Sequence, residues 1–261
     1  MMKDRFHNHA DNLKKTADIS CTIVRSTGDT ETCEDEIIRE QQLEVSVNGY
    51  PAFILTCTPD NLTELTLGRL YTERIIRSID EVKDIFICGE GNIAEVKLRE
   101  ECIFQPCTGP EPTCCTGNRQ LIRKAEPEAV KVLPGITVEP VDVFSLVAHF
   151  REDGALHKST GGTHSCYIRF GDGRILSFED IGRHNALDKA VGAMLLYGEE
   201  PENCILFTTG RVAEDMAEKA VASGIPVLIS KAVPTEAAVE LAKKYNLTLI
   251  CKAWPDSYRI Y

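Results

Sequence analysis

The chain has 261 residues, 43% of them apolar and 26% charged, an ordinary composition for a globular protein with ample core. Its 29 lysines and arginines against 40 aspartates and glutamates give a net charge of -11, which repels nucleic acid and anionic membrane while leaving local basic spots open to a small anionic ligand. No run approaches the length of a membrane span and residues 1–15 are too polar for a secretory signal, so the sequence reads as cytoplasmic, with no nucleic-acid and no membrane partner.

Residues 1–18 read as a polar, frayed tail, and its His7 and His9 carry no expected role. Residues 19–100 read as an α+β N-terminal unit. Strand-like runs cover Ser20 to Arg25, Leu43 to Val47 and Ala52 to Cys57, the last two joined by the hairpin signal Asn48-Gly49. Asn61 to Arg77 predicts an amphipathic helix, followed by strands Asp84 to Cys88 and Ile93 to Leu98.

Residues 101–127 break the periodicity with Pro106, Gly109, Pro110, Pro112 and Gly117, yet hold four of the eleven cysteines: Cys102, Cys107, Cys114 and Cys115. Cys57, Cys88, Cys166, Cys204 and Cys251 sit in or beside apolar runs and read as small core residues. The segment between them is therefore a functional loop with three readings. A reactive thiol for sulfur or acyl transfer would draw on Arg119, Arg123 and Lys124 to favour the thiolate. A zinc site would use Cys107, Cys114 and Cys115, although the chain has no Cys-x-x-Cys and adjacent cysteines make poor joint ligands. The third reading is inert surface thiols.

Residues 128–261 read as an α/β domain. A helix over about 141–151 is followed by strands Ser165 to Phe170 and Arg174 to Phe178. The centre of the chain is Phe178 to Gly192, where Ala186, Leu187, Ala190, Val191, Met194 and Leu195 fall at helical spacing and His184, Asp188 and Lys189 fall on another face, predicting a half-buried helix. Arg183 and His184 open it where the dipole disfavours cations. Either an anion such as phosphate sits there, or the two side chains face solvent or pair with Glu179 and Asp180. Beyond it, strand and helix alternate: Cys204 to Thr208, helix 212–223 with an Asp215/Lys219 pair, Pro226 to Ser230, helix 235–245 capped by Thr235, and Leu247 to Cys251. Such alternation predicts a mostly parallel sheet with ligands at the carboxyl ends of its strands. Gly162 and His164, Arg183 and His184, Thr209 to Arg211, and Ser230 with Lys231 then outline an anion-accepting crevice.

No Gly-x-Gly-x-x-Gly, Walker-type loop, Gly-x-Ser-x-Gly or zinc-deaminase signature is present. Several stretches, in order, resemble the formate dehydrogenase accessory family, FdhD/NarQ. They are Val47 to Pro51, Thr58 to Leu62, Gly161 to His164, Glu179 to Lys189, Thr209 to Arg211 and Gly224 to Leu228.

The resemblance implies a three-layer α/β/α sandwich similar to the cytidine deaminase fold, without its zinc residues and with no intrinsic metal. It implies a sulfurtransferase that takes persulfide sulfur from a cysteine desulfurase. That sulfur passes to the molybdenum of a bis(molybdopterin guanine dinucleotide) cofactor, a bound substrate, for the formate dehydrogenase apoenzyme; a homodimer is expected. The family's loop, Ser/Thr-x-Cys-Gly with a second cysteine three positions on, aligns Cys115 with the persulfide carrier and puts Asn118 where the second cysteine stands, so Cys114 or Cys107 is the candidate second thiol. Gly162, His164, Arg183, His184, Asn185, Thr209 and Arg211 are the implied cofactor-binding residues, with Lys252, Ala253, Trp254, Pro255, Asp256 and Ser257 in the place of a cofactor-contacting C-terminal segment. The alternative reading is a non-catalytic chaperone that binds and delivers the cofactor.

Overall fold

The computed structural model describes residues 5–10, 12–107, 117–125, 129–152 and 154–261, with the backbone alone at 150–152. Strand β1 (Phe6–Asn8), the ribbon β2 (Thr16–Val24) and β3 (Thr30–Ile38), and the hairpin β4 (Gln41–Val47) and β5 (Tyr50–Cys57) precede helix α1 (Leu62–Thr72). Strands β6 (Val82–Ile87), β7 (Ile93–Leu98), β8 (Phe104–Pro106), β9 (Arg119–Gln120) and β10 (Ile122–Lys124) follow, the last three flanking the cysteine segment. Helices α2 (Pro140–Glu152) and α3 (Ala155–Thr160) lead to strands β11 (His164–Arg169) and β12 (Ile175–Asp180), and then to α4 (Arg183–Tyr197). The chain ends with β13 (Ile205–Thr208), α5 (Glu214–Ala222), β14 (Val227–Ser230), α6 (Glu236–Tyr245), β15 (Thr248–Cys251) and β16 (Arg259–Ile260).

Two six-stranded sheets result, ordered β1-β6-β7-β4-β5-β9 and β12-β11-β13-β14-β15-β16. In the second sheet only β13, β14 and β15 run parallel, joined through α5 and α6; β11, β12 and β16 pair antiparallel. One face of that sheet, with Leu206, Leu228 and Leu249, packs on α4, α5 and α6, and the other, with Phe207, Ile229 and Ile250, packs on Val143, Leu146 and Val147 of α2. This is the expected α/β/α sandwich. The first sheet covers the same helical layer from the far side, because α1 lies against α4 and one buried cluster runs from Ala10 to Cys251. Residues from both the N-terminal unit and the C-terminal part share that core.

The crossing of α1 and α4 fixes the two sheets together. A Cβ on Gly68 would stand 1.7 Å from the carbonyl oxygen of Asp188, and one on Gly192 would stand 1.9 Å from that of Glu64. Backbone meets backbone at both notches, so only glycine fits either position. The Asn48-Gly49 turn forms as expected, both residues at positive φ, and Thr235 caps α6 by accepting from Ala238 N.

Several expectations need correction. The second sheet is mixed rather than mostly parallel, with two parallel pairings against three antiparallel ones, and Cys88 is only partly buried rather than a core residue. The tail contains β1, held by parallel pairing of Phe6 with Ile85. The strand begun near Ser20 is half of a nine-residue ribbon with β3, whose acidic sequence hid it. The central helix is buried on every side from Arg183 to Leu195, not half-buried, because Asp188 and Lys189 are fully enclosed with charged partners.

Candidate functional site

Lys189 and Asp188 reach in opposite directions from α4. Lys189 Nζ lies 2.8 Å from Asp180 Oδ2 and 2.6 Å from Asp60 Oδ1, and Asp60 also pairs with Lys15 at 2.7 Å. Burial alone would lower the Lys189 ammonium, but Asp180 and Asp60 outweigh it and hold it above its ordinary value. Asp188 accepts from Thr72 at 2.8 Å and pairs with Lys219 at 2.9 Å and Arg69 at 3.4 Å. Lys219 also reaches Glu73 at 3.1 Å. The expected Asp215/Lys219 pair is thus replaced: Lys219 turns inward to Asp188, and Asp215 receives His184 Nε2 at 2.9 Å. Neither solvent nor Glu179 or Asp180 holds His184, which is buried.

Asp180 ties the head of α4 to the first sheet. It accepts from Thr58 N, Gly182 N and Asn185 Nδ2. Asn185, fully buried, also donates to Thr56 O at 2.8 Å and accepts from Asn118 Nδ2 at 2.6 Å, while Asn118 Oδ1 accepts from Thr56 N at 2.8 Å. Both amides are therefore committed to the protein. Asn185 acts as a bolt behind the crevice, and Asn118, which takes the second cysteine's place, fastens the chain where it leaves the cysteine loop.

A cavity of about 990 Å³ opens beside this bolt. Cys107 and Asn118, which flank residues 108–117 of the cysteine loop, line it with Arg119, Arg123, His184 and Lys219. Arg69 and Glu73 line it as well, and the buried Asp188 lies beneath Arg69 and Lys219. Burial would raise the Glu73 carboxyl, but Arg69 and Lys219 outweigh it and hold it at about 2. Burial raises the Cys107 thiol, with Arg123 opposing, so Cys107 is not activated. Cys114 and Cys115 lie outside the described residues, and among those described no group of three or more His, Cys, Asp or Glu is placed to hold a metal.

On the other side of the α4 head, the crevice residues gather at one edge of the second sheet. His164 opens β11 opposite Asp180, and Thr209 joins its neighbour Ser165 by two hydrogen bonds, Ser165 N to Thr209 Oγ1 and Thr209 N to Ser165 O. Arg183 is buried against Gly210, where a Cβ would meet its own at 2.9 Å. Arg211 is exposed, and Gly162 is an exposed loop residue against Ile38. Lys252 N and Ala253 N hydrogen-bond Ala232 O and Ser230 O, which brings the C-terminal segment to the same edge. There Ala253 is buried, while Trp254, Pro255, Asp256 and Ser257 form an exposed turn with Lys231 Nζ 5.1 Å from the Trp254 ring. Burial first, and then the Arg183 guanidinium beside it, hold the His164 imidazole below its ordinary value.

His164, Arg183, Thr209 and the segment 252–257 are therefore one neighbourhood, with His184 facing the cavity behind it. Sequence reasoning missed the second half of the site: Arg69 and Thr72 on α1, and Glu73 at its C-cap, join it only through tertiary packing. Asp188 and Lys189 in the central stretch carried the available signal, since adjacent opposite charges amid apolar residues need partners.

A model of the FdhD/NarQ family matches residues 38–261. The sulfur carrier protein FdhD of Bacillus pumilus is 32% identical over 235 residues, 88% of this chain and 90% of its own. That of Staphylococcus aureus is 29% identical over 254 residues, 95% of this chain and 96% of its own. Among solved structures, a protein assigned as a formate dehydrogenase accessory protein from Desulfotalea psychrophila superposes with a TM-score of 0.73 at 22% identity, covering 95% of this chain and 97% of that one. The fold agrees, and the family match takes in the second sheet, all of the first but β1, and the cysteine loop: the chain belongs to the FdhD/NarQ family.

Proposed function

We propose that this chain is a sulfurtransferase that carries sulfur as a persulfide on Cys115, from a cysteine desulfurase to the molybdenum of a bis(molybdopterin guanine dinucleotide) substrate destined for formate dehydrogenase. The relatives' name, sulfur carrier protein, supports the carrier role. The observation that carries the reading is that Cys107 and Asn118, on either side of Cys115 in the cysteine loop, line one cavity with His184 and more cations than acids. Cys115 precedes Asn118 by three positions, so chain length alone keeps its Cα within about 11 Å of that bolt. In loading, the Cys115 thiolate attacks the outer sulfur of the donor persulfide, the donor's S–S bond breaks, and the donor thiolate leaves. Arg119 and Arg123 favour the attacking thiolate. The cationic strand-tip edge suits the phosphates of the guanine dinucleotide. Cys107, whose thiol is raised, serves at most as an auxiliary thiol.

Changing Cys115 to Ala tests this. A sulfurtransferase loses activation of its client and keeps cofactor binding. A variant that still activates its client would instead make the chain a delivery chaperone.

A further inference from the structure

The β2–β3 ribbon precedes the family match, which begins at its last residue, Ile38. Its two strands pair antiparallel along their full length, with Cys21 directly opposite Cys33. Their Sγ atoms lie 3.2 Å apart. Directly opposed Cα atoms in an antiparallel pair are about 4.5–5.5 Å apart, inside the range a disulfide spans. Both thiols are partly exposed, on a ribbon face shared with the exposed side chains of Ile19, Ile23 and Ile37. Small molecules therefore reach the pair, and the backbone need not move for it to close.

We infer that Cys21 and Cys33 are a redox couple that closes to a cross-strand disulfide by exchange with a low-molecular-weight disulfide. One cysteine thiolate attacks a sulfur of the small disulfide, breaking its S–S bond and releasing one thiolate. The other cysteine thiolate then attacks the mixed disulfide at the protein sulfur and releases the second. The protein loses two electrons and two protons, and the small disulfide gains them as two thiols. Glu31, Glu34, Asp35 and Glu36 on β3 make the ribbon acidic, so a cationic disulfide is the suitable probe. The product closes the loop 21–33 in a ribbon that two strands alone hold weakly. Its root presses Ile38 on Gly162, beside the crevice.

The test is to treat the full chain with cystamine, alkylate the remaining thiols and digest with trypsin. Cleavage after Lys15, Arg25 and Arg39 leaves peptides 16–25 and 26–39, each with a single cysteine. The expected result is a dithiothreitol-sensitive cross-link between those two peptides in most molecules. In Cys33→Ser, peptide 16–25 instead keeps one half-cystamine. Wild-type peptides that emerge separately, alkylated or each bearing half-cystamine, would overturn the couple. Amide exchange across 22–32 is expected to slow about tenfold or more on oxidation; unchanged exchange would show that the bond does not stiffen the ribbon.

Discussion

Replacing Lys189 with Met probes the construction of the site. The side chain is fully buried, and its ammonium contacts Asp180, Asp60, Thr58 O and Glu179 O. Methionine fills the volume but leaves Asp180, itself fully buried, as a charge without a cation. Breaking a buried pair in this way costs about 3–5 kcal/mol, against a total stability of about 5–15 kcal/mol. For a chain of this size the midpoint of thermal unfolding falls by roughly 6–20 °C, read by circular dichroism at pH 7. Adding Asp180→Asn removes the stranded charge and restores more than half the loss. Burial already raises the Asp180 carboxyl even against the pull of Lys189. Without the lysine its folded value lies further above the unfolded one, so protonation favours the fold and the deficit shrinks as the pH is lowered from 7 toward 5. A wild-type midpoint at pH 7, or a deficit that does not change with pH, would refute the reasoning.

Other substitutions test neighbouring parts. Gly192→Ala places a methyl on the Glu64 backbone and costs about 3 kcal/mol or more, whereas Gly198→Ala, with open space but positive φ, costs about 1 kcal/mol; thermal midpoints separate the two. Asn118→Ala leaves Thr56 N and Asn185 Oδ1 without their partner, about 1–3 kcal/mol each, and calorimetry reads the sum. Glu73, held at about 2, lies below its unfolded value, so its contribution of roughly 2–3 kcal/mol is complete above about pH 5 and is lost as the pH falls toward 2. Glu73→Gln flattens that acid limb in denaturant titrations.

The parallel trio β13, β14 and β15 was legible because each strand and its helix announce themselves locally, by a short apolar run, a turn and a capped periodic segment. The gathering of Thr209, Ser230 and Lys252 at their tips followed from the same regularity. What stayed hidden depends on partners distant in the chain. Asp188 and Lys189 look like a solvated face until Arg69, 119 residues away, and Asp60, 129 residues away, close over them. Asn118 reads as a lost cysteine, and its bolt to Asn185 spans 67 residues. Strand β3 escaped notice because a ribbon that buries neither face has no need of alternating apolar residues. Asp215 and Lys219 have favourable helical spacing, yet His184 and the buried Asp188 outcompete a surface pair worth only a few tenths of a kcal/mol.

The central claim is sulfur transfer through a persulfide on Cys115. Intact mass spectrometry after incubation with a cysteine desulfurase and cysteine, on wild type and Cys115→Ala, tests it most directly. The account predicts the added mass of one sulfur atom on wild type and none on the variant. Equal loading of both, or of neither, would contradict it.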